Sequence, residues 1–80
     1  MKLYLISQDE NAGYDTFDGA VVCAETVEEA KTIHPSENNN DWGEMFSSWC
    51  SSPEKVLVEY IGEACETQKK GVVLSSFNAG

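Results

Sequence analysis

The alternation of apolar and polar residues divides the chain into four strand-like runs and one well-capped helix. Residues 2–8, KLYLISQ, place Leu3 and Leu5 on one face of an extended chain and Tyr4 and Ile6 on the other. A strand that is apolar on both sides belongs in the middle of a sheet rather than at its edge. Residues 19–25, GAVVCAE, form a second strand rich in small and β-branched side chains. Between them, residues 9–18 carry the turn formers Asn11, Gly13, Asp15 and Asp18. That length suits a wide hairpin loop, so the first two strands are expected to pair antiparallel.

Residues 25–35, ETVEEAKTIHP, hold the clearest helix signal. Thr26 suits the N-cap, and Glu29 stands three residues on, as in a capping box. Glu28 and Glu29 complement the positive end of the helix dipole, and Lys31 and His34 its negative end. Pro35 stops the run by disfavouring helical geometry at His34. Val27, Ala30 and Ile33 form a narrow apolar stripe expected to face a sheet. In 41–50, DWGEMFSSWC, the residues Trp42, Met45, Phe46 and Trp49 share one helical face, but Gly43 and the serines limit it to a short segment. In so small a chain these rings are expected to complete the core, with a ligand platform or an interface anchor formed by Trp42, Phe46 and Trp49 as the alternatives. SSPE (51–54) reads as a turn. KVLVEYIGEA (55–64) is a third strand, with Val56, Val58 and Tyr60 on one face and Leu57, Glu59 and Ile61 on the other. GVVLSSFNAG (71–80) is a fourth, expected to pair with the third as a hairpin through CETQKK. The order implies one α+β domain over residues 1–80: a four-stranded, mainly antiparallel sheet (β-β-α-β-β) covered by one helix, with a short Trp-rich helical segment.

Charge narrows the function. The chain has 14 Asp and Glu against 5 Lys, no Arg, and a net charge of −9. Binding to nucleic-acid phosphates needs cations that displace counterions, so direct nucleic-acid binding is not expected. Adhesion to an anionic membrane is not expected either. A partner should be basic, unless the acidity serves only solubility. The three cysteines, Cys23, Cys50 and Cys65, are odd in number and form no CxxC pair. With no apolar run long enough for a signal core or a membrane span, this reads as a reduced, cytoplasmic protein.

The candidate chemistries are weak. An EF-hand loop needs glycine at its sixth position and glutamate at its twelfth; counted from Asp9, these are Tyr14 and Ala20. A looser oxygen site from Asp9, Asp15 and Asp18 stands against a solvated loop whose carboxylates cap their own turns. A zinc site would need to recruit all three cysteines and His34 from across the chain. A nucleophile would need a base beside it, and His34, the one histidine, is better explained by the end of its helix. No phosphate-cradling glycine loop is present. The expectation is a protein with no cofactor, no metal and no enzymatic activity.

The runs LYLISQDENAGYDTFDGAVVCAETVEEAKTIHP, WCSSPEKVLVEYIGEA and GVVLSSFNAG resemble a group of small phage and prophage proteins, mostly of unknown function, that includes an anti-CRISPR protein of the type I-C system. The resemblance implies a protein that acts by binding inside a bacterial host cell. In that setting, carboxylates on a rigid scaffold can occupy a surface built for phosphates. Alternate strand residues lie about 6.6 Å apart, near the spacing of successive phosphates. The expected partner is a basic protein surface, such as that of a CRISPR effector subunit. The candidate partner-binding residues are Asp9, Glu10, Asp15, Asp18, Glu28, Glu29, Asp41 and Glu44. A small-molecule sponge and a module that assembles with itself through a strand edge are the alternatives.

Overall fold

A computed structural model of the chain describes residues 1–11, 15–37, 42 and 48–78. Four strands form one antiparallel sheet: β1 (Lys2–Ser7), β2 (Thr16–Ala24), β3 (Leu57–Glu63) and β4 (Gly71–Asn78), in the order β3-β1-β2-β4. Among the described residues the one α-helix is α1 (Val27–Lys31), and a 3₁₀ turn at Pro53–Lys55 leads into β3.

The β1–β2 hairpin is the centre of the sheet, with Tyr4 opposite Val22 and Ile6 opposite Ala20. β1 is central, in keeping with its two apolar faces. The expected β3–β4 hairpin does not form. β3 pairs with β1 and β4 pairs with β2, so the two strands lie at opposite edges. A separate β3–β4 pair would have left β1 or β2 with an open edge. Flanking the hairpin on both sides satisfies both inner strands, and the connection of residues 64–70 spans the roughly 14 Å of three strand spacings. The path β2–α1–β3 joins two parallel strands that lie on either side of β1, with α1 packed against β1, β2 and β3.

The core lies on the helix side of the sheet. Tyr4, Ile6, Ala20, Val22 and Ala24 point into it from the hairpin, Ala30 from α1, and Trp49, Cys50 and Val56 from the segment before β3. Trp49 is fully buried and Trp42 packs partly against the core, so both described tryptophans serve packing. Met45, Phe46, Asp41 and Glu44 lie outside the described residues, as does most of the expected Trp-rich helix.

The capping box forms. The Thr26 side chain accepts from the Glu29 N–H at 3.1 Å, and the Glu29 carboxylate accepts from the Glu25 N–H at 2.9 Å. The helix is shorter than its pattern predicted. The N–H of Thr32 bonds back to Glu29 O and that of Ile33 to Ala30 O, closing a tight last turn ahead of Pro35. In so short a helix Ala30 meets the sheet and Ile33 packs partly against it. Val27, expected to face the sheet, is 41% exposed.

β2 begins three residues earlier than its pattern predicted and contains a β-bulge. The ladder to β4 slips between Phe17 and Gly19, with Asp18 as the extra residue. Strict alternation from buried Ala20 would turn Asp18 inward and Phe17 outward. The bulge reverses this: Asp18 is exposed, and Phe17 packs against the core and 4.8 Å from the Phe77 ring. Asp18 therefore lies within a strand, not in the loop assigned to it from sequence. Gly19 beside it is required by close approach, because a Cβ there would sit 2.9 Å from the Ile6 carbonyl oxygen.

Candidate interaction surface

β1 ends, and β2 and β3 begin, at the same end of the sheet, which gathers the residues of the 9–18 stretch. Its loop is braced by side chains. The Gln8 Oε1 accepts from the N–H groups of Glu10 (2.9 Å) and Asn11 (2.7 Å), and its Nε2 donates to the Phe17 carbonyl at 3.3 Å. Asn11 Nδ2 donates to the Trp49 carbonyl at 3.1 Å. The Glu10 carboxylate accepts from both the N–H (2.6 Å) and the hydroxyl (3.1 Å) of Ser51. Those two bonds, with Lys55 nearby, hold the Glu10 carboxyl below its ordinary pKa. Asp15 takes a left-handed backbone conformation, φ 61°, which Asp tolerates better than most residues, and its N–H donates to the carbonyl of Asn78 at the end of β4.

The eight candidate carboxylates thus separate by role. Asp9, Asp15 and Asp18 are exposed at this end of the sheet, and their carboxylates make no hydrogen bond or ion pair among the described residues. Glu10 belongs to the same end but works as a brace. Glu28 and Glu29 lie at the other end of β2, roughly 25 Å away along the nine-residue strand. Glu28 is exposed, whereas Glu29 is engaged by Glu25 N–H and by Lys70 Nζ at 3.0 Å, which together lower its pKa. The sheet does not bring the two acidic groups into one cluster. Asp41 and Glu44 lie outside the described residues.

The sequence marks Asn11 only as a turn former and Gln8 only as the end of the first strand, because amides in a turn-rich stretch look like solvated loop. The adjacency of Gln8 to the end of a central strand was the available signal, since a long amide there can bond the loop that folds back over it.

His34 has a different role from the helix-end one its position suggested. Three residues beyond the helix, it is 1% exposed, edge-on to the rings of Phe17, Trp42 and Trp49. Its Nδ1 accepts from the Ser36 N–H at 3.0 Å, which requires a lone pair on that nitrogen. It is part of the core. Cys23 and Cys50 are buried and Cys65 is exposed, all as free thiols. Among the described residues no group of three His, Cys, Asp or Glu side chains could hold a metal ion.

The sheet face opposite the helix is open and largely apolar. Leu5, Leu57 and Leu74 lie on it, between 39% and 68% exposed. An open groove of about 490 Å³ runs between β1 and β4 over Leu5, Gly19, Val21 and Leu74, with Asp18 at its acidic end. No helix among the described residues is long and apolar enough to cross a membrane.

No protein family matches the chain, and neither a characterised protein sequence nor a solved structure is significantly similar to it.

Proposed function

We propose that this chain is a small acidic phage-type inhibitor that binds a basic, nucleic-acid-binding surface of a bacterial defence complex, such as a CRISPR effector, and blocks its access to DNA. The observation that carries the reading is the set of three exposed carboxylates, unengaged among the described residues, at one end of the sheet: Asp9 beside the bracing residues Gln8, Glu10 and Asn11, Asp15 just before β2, and Asp18 at the bulge within β2. A solvated loop has no need of that bracing. Fixed carboxylates present charge to a cationic surface without first losing loop entropy on binding. The excess of acid over base gives the protein a long-range attraction to such a surface and none to nucleic acid itself.

The test is a DNA-binding assay of a purified effector with excess protein. Inhibition should weaken as ionic strength rises, since exposed charges are screened within about 10 Å at 0.1 M salt. Asp9→Lys with Asp18→Lys should slow association, lowering the association rate by roughly tenfold at low salt while the fold persists. Asp15 is left unchanged because of its backbone conformation. The reading is wrong if the effector binds DNA equally well with or without the protein, or if the folded double variant inhibits like the wild type.

A further inference from the structure

We propose that β4 is a dimerisation edge: two copies of this chain pair antiparallel along Gly71–Asn78, about a two-fold axis at Leu74, to make one continuous eight-stranded sheet from two four-stranded ones.

The two edges of the sheet differ in what protects them. β3 carries Glu59 and Glu63, both exposed, and repeated carboxylates along an edge discourage another strand from pairing there. β4 has eight residues and not one is charged or proline. Val73, Leu74 and Phe77 are 42%, 68% and 47% exposed along it, and among the described residues only β2 pairs with it. The ladder to β2 slips at Val73, which interrupts the edge there, but the edge carries no charge, and an uncharged, apolar edge is a template for another strand.

Charge selects a second copy of this chain as the occupant. Two of the five lysines, Lys69 and Lys70, immediately precede β4. The unengaged Asp15 and Asp18 stand beside its other end, Asp15 bonded to Asn78 and Asp18 opposite the Ser76–Phe77 step. Antiparallel pairing of two β4 strands sets Lys69 and Lys70 of each copy at the end of the other's sheet that carries Asp15 and Asp18, two strand spacings or roughly 10 Å from them, with Lys70 shared with Glu29 of its own chain. This offsets repulsion between two chains that each carry a charge of −9. A strand without flanking cations would leave those aspartates unanswered.

Symmetry fixes the register. A two-fold axis normal to an antiparallel sheet places one residue opposite its own copy. Overlap of the two strands is longest when that residue is Leu74 or Ser75. The Leu74 register brings the two most exposed leucines to a Cβ separation of about 5 Å, where apolar cross-strand pairs are favourable.

Sedimentation of the purified chain over a concentration series tests this without any partner protein, so its result is independent of the inhibitory reading. The wild type should approach the dimer mass as concentration rises. Leu74→Lys should raise the dissociation constant by roughly tenfold or more, since like charges directly opposite one another are unfavourable. Lys69→Glu should raise it by a smaller factor. Leu57→Lys, on the same open face but at the β3 edge, should leave it unchanged. In a Cys65→Ser background, Leu74→Cys should form a self-linked disulfide dimer on mild oxidation, because directly opposed strand residues lie within disulfide reach. A wild type that stays monomeric at every concentration overturns the proposal. So does a dimer that Leu57→Lys breaks as readily as Leu74→Lys, which would mean face-to-face packing, or a dimer in which Leu74→Cys never cross-links. Circular dichroism establishes that each variant is folded. If Leu74→Lys is not, Lys69→Glu, Leu57→Lys and the cross-link still decide.

Discussion

Lys70 Nζ donates to the Glu29 carboxylate at 3.0 Å, tying the residue before β4 to the first turn of α1, 41 positions earlier in the chain. The same carboxylate accepts from Glu25 N–H. These two bonds favour the ionised form and hold the Glu29 pKa below its ordinary 4.5, the backbone bond contributing most. A carboxyl whose pKa is depressed on folding adds stability that is present above the unfolded-state pKa and is lost as pH falls through the folded one. Glu29→Gln should therefore be less stable than wild type at neutral pH, and the gap should close below about pH 4. Urea unfolding of both proteins from pH 7 to pH 3 checks the sign. A constant gap at every pH would mean the carboxylate acts only through packing.

Thr26→Ala removes the other half of the capping box. The cost should be about 1 kcal/mol, the usual size of a lost N-cap. A five-residue helix has little propagation energy to absorb such a loss. Chemical denaturation with an unchanged m-value is the expected signature. An unchanged midpoint would mean that the Glu29–Glu25 bond suffices alone.

Gly19→Ala should destabilise the sheet by about 1–3 kcal/mol, as overpacking in a close contact does. The added methyl would lie 2.9 Å from the Ile6 carbonyl oxygen, a backbone atom with no freedom to rotate away. Thermal unfolding monitored by circular dichroism measures the loss. Gly62 and Gly71 have open space where a Cβ would lie, so any cost of alanine at those sites comes from their positive φ angles instead.

One thiol should stand apart in reactivity. Cys65 is exposed, and hydrogen bonds from Thr67, its hydroxyl first, lower the thiol pKa below 9.0. Burial raises that of Cys50, and Cys23 is buried beneath the N-terminal methionine, with sulfur atoms 3.8 Å apart. A chromogenic disulfide reagent should titrate Cys65 alone in the native protein and all three cysteines in denaturant. The native rate should reach half its plateau at a lower pH than a free thiol requires. Thr67→Val should move that midpoint up. Fast reaction of more than one thiol in the native state would show that the sheet opens readily.

Much of the fold is legible in local pattern. The two apolar faces of 2–8 mark a central strand, and Thr26 with Glu29 marks the helix start, because each signal depends on neighbours a few residues away. The pairing of the last two strands is not legible that way. GEACETQKKG between two strands invites a hairpin, and only the need of both β1 and β2 for an outer neighbour overrules it. The bulge at Asp18 is equally hidden, since Phe17 and Asp18 fall out of phase with Ala20 and Val22 in a way that reads as the end of the strand, and the slip is set by what Phe17 meets at His34 and Phe77. At the candidate site, the acidic character of 9–18 is visible in composition. The division between bracing Glu10 and unengaged Asp9 depends on Ser51, distant in sequence and close in space.

The strand order also has a consequence during synthesis. The hairpin that ends at the centre of the sheet leaves the ribosome before the strands that flank it. For most of translation the nascent chain holds a two-stranded ribbon with both outer edges bare, and such a ribbon is marginal in water on its own. Neither half of the chain contains a complete layer, so folding must wait for nearly the whole sequence and then close in one cooperative step. A ribosome stalled before β4 would expose the backbone edge of β2, together with Val21 and Val22, to whatever protein lies nearby.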